Sequence, residues 1–351
     1  MNNIASNRLR DAVALIVAKM GSDAEETALV TDHLVRANLA GHDSHGVGML
    51  PAYVKQQRAD LLKVNQTLKV VNDAGALLVF DAGFGFGARM GHLATAQAIE
   101  RARKTGVCAF SLRNSAHIGR IGTYGEQAAA AGMAFVAFVN VSGMVPVSAT
   151  FAAAQARLGT NPFVASLPAS GGPLVLDMAT TKIAHGKARI AYNKNIPVPT
   201  DCLLDSQGHP TTDPSELIEK REGALLTFGG HKGSGLAIMC EMMAGAAGGG
   251  RRIDEPPCDG IINSMFAIVT DLKALGGEAK VEADIALTRA FLTSAPRLEG
   301  VDEILLPGDP ERRAAAARES EGIPIDDRTL EQLIEAGVSL GIKRDELMRR
   351  L

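Results

Sequence analysis

The chain has 351 residues, a formal net charge of −3 and 46% hydrophobic residues. That is enough for one large core or two to three smaller ones, and with no basic stripe it excludes nucleic acid and anionic membrane as expected partners. Thirty-seven glycines, no tryptophan and only 4% aromatics suit an α/β protein with many tight turns.

In chain order, apolar periodicity predicts helices over residues 7–20, 24–40 and 51–58. Strands follow at 67–71 and 76–81, with Asn72-Asp73-Ala74-Gly75 as the turn between them. A helix at 89–104, a strand at 107–112, a helix at 123–131 and an apolar strand at 133–141 give the alternation of an α/β core. Residues 146–158 read as irregular. Strands are expected at 173–177, 187–192 and 265–270, a long helix at 232–247 and another at 283–293. The tail from Pro310 reads as helical, with Asp326 or Asp327 capping the stretch 330–336. Helical character at both ends predicts one discontinuous helical domain, residues 1–75 with 310–351, beside an α/β cofactor-binding domain of residues 76–309. No run approaches 18 apolar residues and the start carries no apolar signal, so a cytoplasmic protein is expected. Its four cysteines are far apart and fit no metal spacing.

Chemistry concentrates in glycine-flanked loops. Gly41-His42-Asp43-Ser44-His45-Gly46 puts two imidazoles, a carboxylate and a hydroxyl at the end of a helix, and histidine exchanges protons near neutral pH. Capping of that helix end is the competing role for His42 or His45. His33 lies on the apolar side of the same helix without an H-E-x-x-H pattern, so no metal is expected. Gly83-Phe84-Gly85-Phe86-Gly87-Ala88 matches the tolerant G-x-G-x-x-A dinucleotide pattern, but no acidic residue closes the next strand. A glycine turn entering a packed helix is the better reading. Asn114-Ser115-Ala116-His117-Ile118-Gly119-Arg120-Ile121-Gly122 follows a strand end, where ligands of α/β proteins gather. Asp177 again stands at a strand end, either as a helix cap or as a partner orienting a histidine or cofactor amide. Gly229-Gly230-His231-Lys232-Gly233 opens a helix and suits an anion, without the spacing of a P-loop. Spacing alone thus suggests a nucleotide cofactor and a small anionic substrate, and names no reaction.

Taken in order, seven segments resemble the type 2 malate/L-lactate dehydrogenase family. They are Asp43-Ser44-His45-Gly46, residues 114–122, Gly159-Thr160-Asn161-Pro162, Asp177-Met178-Ala179-Thr180, Gly186-Lys187, Gly230-His231-Lys232-Gly233 and Leu306-Pro307-Gly308-Asp309. Residues 41–49 and 228–233 are most similar to the hydroxycarboxylate dehydrogenase B branch. The resemblance implies an α/β fold with a non-Rossmann nicotinamide-binding domain, in a homodimer with sites near the subunit interface. It implies NAD as cofactor, with NADP open, and hydride transfer at C2 of a 2-hydroxy/2-oxo acid of malate, lactate or phenyllactate type. His45 is the implied acid–base residue, a role that some members give to the histidine matching His117, and Ser44 and Asp177 orient it. Implied cofactor contacts are His45, Gly119, Arg120, Ile121, Val175, Leu176, Asp177, Met178, Ala179, His231, Asn263, Leu306, Pro307, Gly308 and Asp309. Many members carry an arginine where this chain has Met49, so Arg120, Lys187, Arg189 or Lys232, with Thr160, is expected to hold the substrate. The alternatives are an NADPH-dependent reductase of cyclic imines (piperideine or pyrroline carboxylates), a hydrolase whose metal is held by His33, His42 and His45, and a non-catalytic nucleotide sensor.

Overall fold

A computed structural model describes residues 2–351. The fold is α/β. Its main sheet has seven strands, in the spatial order Lys69–Asp73, Leu77–Asp81, Val107–Ala116, Ile262–Asp271, Met133–Ser142, Phe163–Leu167 and Leu174–Met178. Within this sheet only Leu77–Asp81 and Val107–Ala116 pair in parallel. The central strand Ile262–Asp271 runs antiparallel to both neighbours. A Rossmann sheet is mostly parallel, so this topology is the non-Rossmann arrangement that the resemblance implied.

Helices form where apolar residues recur at helical spacing. They are α1 (Ser6–Lys19), α2 (Ala24–Leu39), α3 (Leu50–Arg58), α4 (Gly87–Thr105), α5 (Gly122–Ala130) and α6 (His185–Asn193). The side chain of Asp23 caps α2 by accepting from Glu26 N. Along α4, Ala94, Ala98 and Ala102 are buried against Phe80, Phe110 and Met265 of the sheet. A second apolar cluster joins Leu9, Val13 and Ile16 of α1 and Leu34 of α2 to Leu333, Ile334 and Leu347 near the C-terminus. Burying each such side chain contributes about 1.5–3 kcal/mol. Asn2–Ile4 pairs with Ile323–Ile325 in a short antiparallel ribbon.

Several elements differ from the expectation. Residues 187–192 are not a strand but most of α6. Ala188 and Ala191, three apart, are its buried positions and Ile190 is exposed, so the apparent alternation is a helical face. The strand Phe163–Leu167 was not anticipated, nor was the ribbon strand Ile323–Ile325 in the helical tail. The expected helix 232–247 is α-helical over His231–Cys240 and becomes a π-helix over Glu241–Ala247. The irregular stretch 146–158 contributes Ser148–Ala149 and Ala156–Leu158 to a small five-stranded sheet. At the Gly83–Ala88 turn a Cβ on Gly87 would fall on the carbonyls of Ala116 and His117. A Cβ on Gly85 would stand 2.8 Å from Met90 Cε and 2.9 Å from Gln66 Cβ. These glycines allow close packing of the turn on its neighbours, as a glycine turn entering a packed helix requires.

Candidate active site

The loop after α2 is built around one buried amide. Asn38 Nδ2 donates to Asp43 Oδ1 at 2.7 Å and Asn38 Oδ1 accepts from Val47 N at 2.8 Å. Arg318, on the helix Asp309–Glu321, donates to both oxygens of Asp43 at 2.7 and 3.1 Å. Gly41 ends α2 with φ +85°, the left-handed turn that favours glycine. A Cβ on Gly46 would fall on Asn38 Oδ1. His42 is spent on Glu311, at 3.2 Å, and does not cap α2.

So held, the loop presents His45. Ser44 Oγ lies 2.9 Å from His45 Nδ1. The His45 ring stacks on that of His117, with centroids 5.6 Å apart and planes 22° from parallel. His117 follows the strand Val107–Ala116, and its Nδ1 lies 2.8 Å from Tyr53 Oη on α3. Burial pushes His117 well below the usual histidine range, and nearby His45 pushes it further. Burial also lowers His45, opposed by the carboxylate of Asp177. Two neutral imidazoles therefore face each other at neutral pH, each with a hydroxyl at Nδ1.

The backbone beyond His117 is fixed from two sides. Ile118 N donates to Asn263 Oδ1 at 3.0 Å, and Arg120 N donates to His33 Nε2 at 3.0 Å. His33 must be neutral to accept that bond, and burial followed by the Arg120 charge lowers it to about 3. Between them Gly119 has φ +69°, and a Cβ there would strike the His33 ring. The Arg120 guanidinium is enclosed, 2% exposed, pairing with Glu126 at 2.8 Å and Asp177 at 3.4 Å. Asp177 Oδ2 also accepts from Gly122 N at 2.8 Å, at the start of α5.

On the sheet side lies a network that the sequence did not disclose. Glu241, at the start of the π-helix, is buried and accepts from Asn140 Nδ2 (3.1 Å), Asn161 Nδ2 (3.0 Å) and Ile253 N (2.9 Å). No ion pair reaches it among the described residues. Asn140 O accepts from Asn263 Nδ2 at 2.8 Å, and Asn263 is the residue that holds Ile118 N. A chain of amides thus runs from Glu241 to the residue after His117. Tyr53, Asn140 and Glu241 have no motif around them, while Asn161 lies in the segment Gly159-Thr160-Asn161-Pro162 without having been singled out.

The remaining expected contacts fall in separate groups. Val175 N donates to Pro307 O at 3.1 Å and Leu306 N to Asp309 Oδ2 at 2.8 Å, so the strand Leu174–Met178 meets the Leu306–Asp309 turn. Thr160 O accepts from Thr180 N at 3.1 Å, and Thr180 O accepts from Phe228 N at 3.1 Å, which lines Thr160 up with the turn before His231. The His231 ring meets Phe151 edge-on at 5.9 Å. Lys187 and Lys232 are exposed and form no ion pair among the described residues. Gly186 abuts the histidine loop: a Cβ there would lie 2.5 Å from Ser44 Cβ. Among the described residues no three His, Cys, Asp or Glu side chains converge as a metal cage. His33, His42 and His45 instead serve Arg120 N, Glu311 and Ser44. Unpaired lysines for anions and neutral imidazoles for a reacting carbonyl form a donor set that fits a dinucleotide and a small acid.

Over residues 4–334 the chain matches the profile of the malate/L-lactate dehydrogenases. It is 40% identical to hydroxycarboxylate dehydrogenase B of Escherichia coli (strain K12) over 344 residues, covering 97% of this chain and 94% of that protein. It is 39% identical to an L-lactate dehydrogenase of Cupriavidus necator, covering 88% and 90%. The solved structure of a putative malate/lactate dehydrogenase from E. coli superposes with a TM-score of 0.94 at 39% identity, over 100% of this chain and 98% of that one.

Proposed function

The chain belongs to the malate/L-lactate dehydrogenase family, and on that premise we propose that His45 moves the proton while a hydride passes at C2 of a 2-hydroxy/2-oxo acid. The protein is a 2-hydroxyacid dehydrogenase of the nicotinamide-nucleotide-dependent kind. The nucleotide, when bound, donates or accepts the hydride; NAD is the proposed form, with NADP measured beside it. The observation that carries the residue assignment is the stacked His45–His117 pair with Ser44 and Tyr53 at the two Nδ1 atoms.

A hydroxyl at Nδ1 leaves Nε2 of each ring to face the reacting oxygen. In the oxidation direction neutral His45 accepts the hydroxyl proton of the substrate. In the reverse direction the protonated ring gives it back to the developing alkoxide. Asp177 opposes the burial that keeps His45 neutral and so makes that protonation accessible. Ser44 orients the ring, and His117 is placed beside the same oxygen by Tyr53. Arg120 is enclosed with Glu126 and Asp177, which favours a role in fixing Asp177 over one in gripping the substrate. The substrate carboxylate falls to the unpaired lysines, Lys187 or Lys232, with Thr160. The turn 306–309 and residues 175–179 are proposed to hold the nucleotide, in a homodimer with its sites near the interface.

The test is NADH or NADPH oxidation with a panel of 2-oxo acids, in the wild type and in His45→Asn. A positioned general acid is worth about 10²- to 10⁴-fold, and the variant should lose that much while binding NADH within a few fold. Full activity in folded His45→Asn would overturn the assignment. Loss in His117→Ala alone would move the proton to the second histidine.

A further inference from the structure

A cavity of about 320 Å³ is bordered by α3, α6 and the segments 144–147, 217–223 and 259–261. Its walls are apolar, with Met144, Val147, Leu217 and Ile261 among them. Around them stand Lys55, Arg189 and Arg221, and a single carboxylate, Asp259. None of the three cations forms an ion pair or a side-chain hydrogen bond among the described residues. Three unpaired like charges around one apolar hollow repel each other, and an anion placed between them relieves that repulsion. His185 also lines the cavity, and burial followed by the Arg189 charge lowers it to about 4, so it offers a hydrogen bond and no charge.

Three of its walls belong to elements that also hold site residues. Gly186, next to His185, packs on Ser44. Ile261 precedes Ile262, which pairs with Ala116, the residue before His117. Lys55 is two residues beyond Tyr53 on α3, and Tyr53 holds His117. Lys55 and Arg189 also border a second cavity of about 510 Å³ that reaches Gly48 of the histidine loop. Met49 gives the loop no cation at that position.

We propose that this cavity receives the tail of the substrate, and that Lys55, Arg189 and Arg221 select 2-oxo acids whose apolar chain ends in a second anionic group. The inference rests on the dehydrogenase reading above. At about 320 Å³ the cavity has room for a chain of several carbons.

The probes are 2-oxoadipate and 2-oxohexanoate, which share a six-carbon chain and differ in the charge at its end, with pyruvate as the tail-free reference. In the wild type kcat/KM for 2-oxoadipate should exceed that for 2-oxohexanoate by about tenfold or more, an advantage that shrinks with added salt. Lys55→Gln combined with Arg221→Gln should bring the ratio close to one, and pyruvate should change less than twofold. Lys55→Arg should keep the preference. A wild-type ratio near or below one, or a ratio untouched by the double variant, would overturn the proposal. If no 2-oxo acid at all is reduced with either nucleotide, the dehydrogenase reading falls as well, so the two failures are told apart.

Discussion

On the helical side of the His45–His117 pair, the buried Asn38 amide apart, the fastenings are charged and half-open to water. Arg318 holds Asp43, Glu311 holds His42, and Arg36 reaches Glu126, itself the partner of Arg120. On the sheet side the fastenings are buried and almost wholly made of amides: Glu241, Asn140, Asn161 and Asn263, each 5% exposed or less. The two kinds differ in what they cost to break. A half-exposed ion pair is worth about 0–1 kcal/mol and weakens with salt. A buried donor that loses its acceptor costs about 1–3 kcal/mol. The sheet side is therefore a fixed frame for His117, and the loop carrying His45 is the part that a bound ligand can shift.

The sharpest test is to break the frame. Glu241→Leu orphans Ile253 N and removes an acceptor from two buried amides, and should cost about 2–4 kcal/mol in a denaturant titration. Glu241→Gln turns one oxygen into a donor facing Asn161 Nδ2. It should cost less, and should lower kcat more than it raises KM if the frame positions His117. A Glu241→Leu protein as stable as the wild type would dissolve the distinction.

Acid should act next. His33 and His185, held at about 3 and about 4, are neutral in the folded protein, while the unfolded chain protonates near 6.5. The unfolded state therefore binds more protons below pH 6.5. Stability is complete above that pH and falls as pH drops from about 6.5 toward 4, by about 1.4 kcal/mol per pH unit for each proton taken up. His117 is depressed in the same direction and adds to the slope. His33→Gln should flatten the slope measured by denaturation between pH 5 and 6.5.

The smallest effect belongs to the charged side. Arg318→Gln should cost about 1 kcal/mol or less and raise KM a few fold with kcat nearly unchanged. Salt at about 0.5 M should mimic it in the wild type and do little more in the variant. A loss of several kcal/mol would mean that the loop is as firmly framed as the sheet side.

Much of this was legible in the sequence, and the limits have a physical pattern. The glycines at 41, 46 and 119 announced turns, and each is held where a Cβ or a right-handed φ would fail. The apolar face of α2 was legible, and so was His33 within it, but not that its Nε2 serves Arg120 N, 87 residues away. Tyr53 looked like any helix residue because its partner is 64 positions on. Glu241 lay in an apolar helical run, and its amide partners come from strands and loops about 80 to 100 residues earlier. Residues 187–192 misled because alternating apolar positions over six residues fit a strand and a short helix alike. The seven-strand order was not legible, since the crossings of a mixed sheet leave no local mark; the resemblance implied only that the sheet is not a Rossmann one.

The ribbon of Asn2–Ile4 with Ile323–Ile325 joins segments about 320 residues apart, and Arg318 grips the histidine loop from the same distal stretch. At about 5–20 residues per second a ribosome takes tens of seconds to travel between them. Throughout that interval α1 and α2 have no Leu333, Ile334 or Leu347 to cover their apolar faces. The helical core around α1 and α2 can therefore close only when synthesis is nearly finished. Premature termination before residue 323 leaves a chain without the ribbon partner of Asn2–Ile4 and without the side chains that cover the apolar faces of α1 and α2.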